Sequence, residues 1–344
     1  MKSMASHLLA VAILCRKKRC FPIAAGAEKN NSPIKRWQLR LFFYAWLLVL
    51  LGVTKAVSAK SALRTGHDVS SRPFWVNVLY FRDGAGEKTL TEVLVEVPFA
   101  SCAFKKAGNG YEAKVEVGVV FEDDDAFQID GNAHSDLIRT NDFAETKSSI
   151  HTHIFYFAFR VKPGSYNLRV IIGDEQVDGR FSYACKIDIP SFTKTQLQIS
   201  SLLLARHLEM SEKNSVLRKN GRSMIPNVPR LFTAQNRVGF VYFEAYNLPV
   251  SSSPADSFQC HLRLSRQDGG EIYSAILMIP KPGPIAVITL SLNLGELEAG
   301  EYWLSVTVAD PYSRRNASAF AVLYVAPSVA PTLGFFDTAA GSNN

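Results

Sequence analysis

From Phe74 onward the hydrophobic residues recur at every second position, the period of a strand rather than of a helix. In 113–121, Val115, Val117, Val119 and Phe121 share one face, with Lys114 and Glu116 on the other. The same alternation runs through 91–97, where Val93, Val95 and Val97 oppose Glu92, Leu94 and Glu96. It continues in 155–161 (Phe155, Phe157, Phe159, Val161) and in 183–189, where Tyr183, Cys185, Ile187 and Ile189 oppose Lys186 and Asp188. In 258–264, Phe258, Cys260, Leu262 and Leu264 oppose Gln259, His261 and Arg263. Successive side chains on a strand point to opposite faces, so each segment predicts a strand with one face on a core and one in water. Turn dipeptides separate them: Asp83-Gly84, Asn109-Gly110, Asp130-Gly131, Pro163-Gly164, Asp268-Gly269 and Pro282-Gly283. Only 197–218 reads as helical or mixed. The class is all-β, a sandwich or barrel rather than a parallel α/β sheet.

A repeat sharpens this. Gly164, Tyr166, Leu168, Val170 and Asp174 recur at the same offsets as Gly300, Tyr302, Leu304, Val306 and Asp310, 136 residues later. That spacing is domain-sized, too long for a solenoid unit. Gly permits the corner backbone that enters a strand, and Tyr, Leu and Val then point into a core. A Tyr just after a Gly turn resembles the tyrosine corner of immunoglobulin-like sandwiches, whose hydroxyl bonds back to nearby backbone. The expected architecture is two tandem immunoglobulin-like or fibronectin-like antiparallel β-sandwich domains, at 70–190 and 226–326. Residues 191–225 read as a connector, and 327–344, with few large residues, as a flexible tail.

Composition changes the picture mainly at the N-terminus. The chain has 344 residues, 47% of them hydrophobic and 20% charged, enough to build real cores. Its net charge of +7 is misleading. Residues 1–40 hold nine Lys or Arg and one acid, leaving 29 basic and 30 acidic residues in the remainder. The folded part therefore has no excess of positive charge from which to build a nucleic-acid face. Lys35, Arg36 and Arg40 precede an unbroken apolar run, Leu41 to Val53, followed by Val57-Ser58-Ala59. Basic flank, short apolar run and small-residue site together describe a signal peptide, or an N-terminal anchor over 41–59 if retained. The segment 1–59 is thus read as extension plus leader, and a start downstream of Met1 would suit its length. Of five cysteines, Cys15 and Cys20 lie in the leader. Cys102, Cys185 and Cys260 allow one bridge at most, so the chain is no disulfide scaffold, and Cys185 and Cys260 read as buried thiols.

Several segments then carry a resemblance: Val97-Pro98-Phe99-Ala100, Pro163 to Leu168, Ile189-Pro190-Ser191-Phe192, Ile225 to Arg230, and Val241 to Leu248. In this order and spacing, across 74–325, they resemble the N-terminal region of bacterial GWxTD-domain-containing proteins. The resemblance implies an exported or envelope-associated β-rich protein of unknown molecular function, with no catalytic residues to carry over. The naming C-terminal domain has no counterpart, since no Gly-Trp pair occurs.

Candidate chemistry is sparse. His151 and His153 share a strand face but lack the third and fourth ligands that zinc takes, and read as a wet strand rim. Glu122-Asp123-Asp124-Asp125 with Asp130-Gly131-Asn132 is acidic enough for Ca²⁺ but has the wrong spacing for its loop, and reads as an exposed turn. Gly108 to Ala113 matches a dinucleotide fingerprint in letters, yet a strand follows it, not a helix. Asn316-Ala317-Ser318 is a glycosylation sequon, meaningful in a eukaryotic secretory pathway alone. The aromatic stretch at 240–246 offers Phe240, Tyr242 and Tyr246 as ligand contacts, with core packing as the competing reading. No G-x-S-x-G, H-E-x-x-H, C-x-x-C or P-loop occurs.

These features point to a non-enzymatic exported structural or protein-interaction module of the cell envelope, without cofactor or metal. Its partners would be envelope proteins, not nucleic acid, and it would meet a membrane through its N-terminal apolar segment. Its place would be periplasmic, outer-envelope or extracellular. The alternative is a carbohydrate- or peptide-binding sandwich that uses the aromatics of 240–246. N-terminal sequencing of the mature protein checks the leader: the first residue should be Lys60, and a chain that begins near Met1 contradicts the reading.

Overall fold

β-Branched and aromatic residues at alternate positions favour extended backbone, since they are stiff at χ1 and fit a pleated surface. The computed structural model describes residues 12–13, 74–84, 87–174, 180–193, 195–210, 216–249 and 256–327. Among these residues the elements are strands, with two short 3-10 turns at Phe99–Ser101 and Glu145–Lys147 and no α-helix. The expected leader (1–59) and tail (327–344) lie outside the described residues, apart from Ala12, Ile13 and Pro327.

Strands β2 (Trp75–Arg82), β3 (Thr89–Pro98) and β7 (Thr152–Val161) form a sheet in the order β2-β3-β7. It faces a second sheet made of β4 (Lys105–Ala107), β5 (Gly110–Glu122), β6 (Gln128–Thr140), β8 (Gly164–Asp174) and β9 (Arg180–Ile189). The order there is β6-β5-β8-β9, with β4 beside the start of β5. Val93, Val95, Val117, Val119, Phe121, Phe157 and Val170 fill the space between.

The second half repeats this. β11 (Leu203–Glu209), β15 (Val238–Tyr246) and β18 (Ile285–Asn293) lie in the order β11-β15-β18. They face β16 (Ser257–Arg266), β17 (Glu271–Pro280), β19 (Gly300–Asp310) and β20 (Arg315–Val325), ordered β17-β16-β19-β20. Leu204, Val241, Phe243, Cys260, Leu262, Leu290 and Leu304 fill that core. Strand for strand, β2, β3, β5, β6, β7, β8 and β9 correspond to β11, β15, β16, β17, β18, β19 and β20. The second half also carries β10 (Gln198–Ile199) on β15, and the pair β12 (Leu217–Lys219) and β13 (Arg222–Pro226) beyond β11. β14 (Leu231–Phe232) runs parallel to β20, and β1 (Ala12–Ile13) parallel to β18.

The repeated corner is where the chain leaves one sheet for the other, from β7 to β8 and from β18 to β19. Gly164 and Gly300 take φ of 154° and 157°, which a side chain would disfavour. Tyr166 Oη donates to the Lys162 carbonyl oxygen at 3.0 Å, and Tyr302 Oη to that of Glu298 at 2.8 Å. Both bonds reach four residues upstream, so the two corners have the same construction.

Three expectations need correction. The described residues of 197–218 hold no helix, and 191–225 is no simple connector: β10, β11, β12 and most of β13 belong to it. Their polar spacing disguised strands whose second face is covered. Asp130-Gly131 is not a turn but lies within β6. The reversal comes earlier, where Asp123 Oδ1 accepts the N–H groups of Asp125 and Phe127. Finally, β3 is not half-exposed. Leu94, Glu92 and Glu96 are as buried as its valines, because the β2-β3-β7 sheet packs its other face on the second half. Leu79, Phe81 and Leu94 meet Leu203, Ala205, Leu217, Met224 and Tyr242 there in a third core.

The corner bonds should be measurable one at a time. Tyr302→Phe should cost about 1 kcal/mol in urea unfolding, the net worth of one hydrogen bond. Tyr166→Phe should cost less, since its hydroxyl is open to solvent. No loss in either variant would remove the corners from the account of stability.

Candidate functional site

The densest polar chemistry among the described residues lies in the seam between the halves. β3 places Glu92 and Glu96 on its outward face, four residues apart and so on the same side. Both are at most 1% exposed. Glu96 Oε1 accepts from Arg206 Nη2 of β11 at 2.7 Å and from Thr152 Oγ1 of β7 at 2.8 Å. Glu92 Oε1 pairs with Lys219 Nζ of β12 and accepts from Tyr156 Oη at 2.9 Å. Lys219 Nζ also stands 3.6 Å from the ring centroid of Phe81, a contact that favours a cation over an aromatic face. Burial, with the Glu92 carboxylate beside it, pushes the Tyr156 phenol well above its ordinary range.

A second cluster continues the seam. Glu244 accepts from Tyr242 Oη at 2.5 Å through Oε1 and from Tyr246 Oη at 2.9 Å through Oε2. Asn220 Nδ2 reaches both Tyr242 Oη (2.6 Å) and Glu244 Oε1 (3.0 Å). Asn220 and Gly221 have positive φ, 48° and 72°, and form the tight turn between β12 and β13. From the first half, the Arg82 N–H donates to Tyr246 Oη at 3.2 Å, its guanidinium lies 4.6 Å from the Tyr246 ring centroid, and its Nη1 donates to Asn247. Arg230 Nη2 donates to Asn77 Oδ1 at 2.7 Å, and the Tyr80 backbone exchanges two bonds with Ser201. Burial, then the neighbouring carboxylate, pushes both tyrosine phenols far up, so they stay neutral donors.

The aromatics of 240–246 follow the core-packing reading rather than the ligand-contact one. Tyr242 and Tyr246 are 0% and 1% exposed, and Phe240 packs partly buried against the third core. They form no open platform for a sugar or peptide: the alternation that puts one face of β15 in its own sandwich puts the other in the seam. Gly164, Tyr166, Gly300 and Tyr302 stand at the corners described above. Sequence reasoning missed Glu92, Glu96, Arg206 and Lys219. The Asn220-Gly221 dipeptide was the available signal for the hairpin that carries Lys219 inward.

Outside the seam, His153 Nε2 lies 2.7 Å from Asp136 Oδ2, and His134 Nε2 2.9 Å from Asp136 Oδ1. Burial would raise the Asp136 carboxyl, but the His153 bond and the two imidazoles hold it below the usual range. His151 turns instead to Ser148 and Glu145. A carboxylate thus stands beside both His151 and His153. No group of three or more His, Cys, Asp or Glu among the described residues is arranged to hold a metal ion. In the acidic turn Glu122 pairs with Arg169 and Asp124 with Lys186. Cys102, Cys185 and Cys260 are free thiols. Cys185 is half-buried rather than buried, while burial pushes the Cys260 thiol up to about 12. No described helix is long and apolar enough to cross a membrane. No protein-family model matches the chain, and no curated protein matches it.

In the seam Glu92 and Glu96 are each bonded through Oε1, while the Oε2 of both is buried without a hydrogen-bond partner among the described residues. Breaking one buried pair should be costly, about 3–5 kcal/mol for Lys219→Met by chemical denaturation, since it strands Glu92. Lys219→Met with Glu92→Leu should recover most of that loss. A single variant as stable as the parent would show that the pair does not hold the halves together.

Proposed function

We propose that this chain is exported and serves as a non-enzymatic structural or protein-interaction module of the cell envelope. The observation that supports this most is the use of its buried charges. Glu92, Glu96, Arg206 and Lys219 join the two halves across the seam, which favours a structural unit over a cleft that turns over substrate. The leader pattern and the resemblance to the N-terminal region of GWxTD-domain-containing proteins support the envelope as its place.

The same reading names a contact face. On the outward side of the β17-β16-β19-β20 sheet, Trp303 of β19 and Phe320 of β20 are diagonal neighbours, 48% and 66% exposed. Ile276 and Met278 of β17 stand on that face too, at 61% and 53%. Exposed aromatics of this kind anchor protein partners. In vivo crosslinking in native cells, with fractionation, tests the proposal. The chain should sit in the envelope fraction, and Trp303→Ser with Phe320→Ser should weaken its main protein contact by about 2 kcal/mol, roughly thirty-fold. Recovery from the cytosol, or a partner that ignores the double variant, contradicts it.

A further inference from the structure

At the open end of the β16–β17 hairpin a buried amine touches two buried carboxylates. Asp256 precedes β16 and Lys281 follows β17, and the Lys281 N–H donates to the Asp256 carbonyl oxygen at 3.0 Å. The two residues are thus directly opposed across the ladder. Lys281 Nζ lies 2.8 Å from Asp256 Oδ2 and 3.1 Å from Asp310 Oδ1. The side chains of Lys281 and Asp256 are each 5% exposed, and that of Asp310 is 0%.

The carboxylates are not equivalent. Asp310 also accepts the N–H groups of Tyr312 and Ser313, each at 3.3 Å. Burial would raise its pKa, but these donors and Lys281 hold it below the usual range. Among the described residues Asp256 has Lys281 as its side-chain donor, and its Oδ1 is buried without a hydrogen-bond partner. As an ionic cluster the site keeps one negative charge in excess and one carboxylate oxygen unsatisfied, both costly away from water. Joining Lys281 to Asp256 would remove a pair of buried charges and leave Asp310 with its backbone donors.

We propose that Lys281 and Asp256 condense spontaneously to a side-chain amide, with Asp310 as the proton carrier. The Lys281 ammonium first gives one proton to the Asp256 carboxylate, leaving a free amine and a carboxylic acid in contact. The Nζ lone pair forms a bond to Asp256 Cγ, and the carbonyl electrons move onto oxygen. Asp310 takes a proton from the now positive nitrogen and returns it to the departing hydroxyl. The Cγ–O bond breaks, the carbonyl re-forms and water leaves. One ammonium and one carboxylate become one amide and one water, with no net proton released and no other reactant. Amide formation is unfavourable between free molecules in water. Groups held in contact reach effective concentrations of about 10⁵–10⁸ M, and exclusion of water opposes the reverse step. The product is a covalent staple that holds the edge strand β17 to β16.

Mass spectrometry of the full chain tests this without a functional assay. The intact protein should be lighter than its sequence by one water, and a proteolytic digest should contain a branched peptide joining Asp256 to Lys281. Lys281→Arg and Asp310→Asn should each restore the full mass and abolish the branched peptide. The parent measurement stands even if a variant fails to fold. A parent chain at full mass, a branch to Asp310 instead, or a branch that persists in Asp310→Asn would each overturn the proposal.

Discussion

The rest of the structure depends on the second face of β3 being taken out of water. A three-stranded sheet with one core would leave Leu90, Glu92, Leu94 and Glu96 at a surface. Here the equivalent sheet of the second half lies against it, and the strand is buried on both sides. The apolar contact supplies the drive, at roughly 25 cal/mol per Å² of apolar surface buried. The two carboxylates supply the direction. A buried unpaired charge is far costlier than a paired one, so the halves meet best where Arg206 and Lys219 reach Glu96 and Glu92.

That constraint explains why two halves of identical connectivity differ in their additions. In each, the three-stranded sheet is covered twice and the four-stranded sheet once. The second half adds the β12–β13 hairpin at the edge of its covered sheet, and this hairpin delivers Lys219 and Asn220 to the seam. Among the described residues the first half has no such hairpin, and it supplies Glu92 and Glu96 to the ion pairs. The seam is complementary rather than symmetric, although the strands that build it correspond one to one.

Two kinds of buried charge coexist in the second half. The seam pairs join residues more than a hundred positions apart and satisfy a contact between sheets. The Asp256, Lys281 and Asp310 cluster lies at one end of a single sheet, within 54 residues of sequence, and satisfies no contact between the halves. A cluster that neither bridges sheets nor balances its own charge calls for a local chemical reason, and the closeness of an amine to an underbonded carboxyl supplies one.

The period of two, the turn dipeptides and the Gly-x-Tyr-x-Leu-x-Val repeat determined the class and both corners, because those features are local. A strand's alternation follows from its own pleat, and each corner tyrosine bonds four residues away. Tertiary structure alone decided what the outward faces meet. Glu92 and Glu96 carry the pattern of solvent-facing residues, Tyr242 and Tyr246 that of a binding stripe, and 191–225 that of a linker. All three change meaning once a second sheet covers them. The reason is physical: alternation reports that two faces differ, while burial of the polar face depends on a surface distant in sequence, whose position no local pattern encodes.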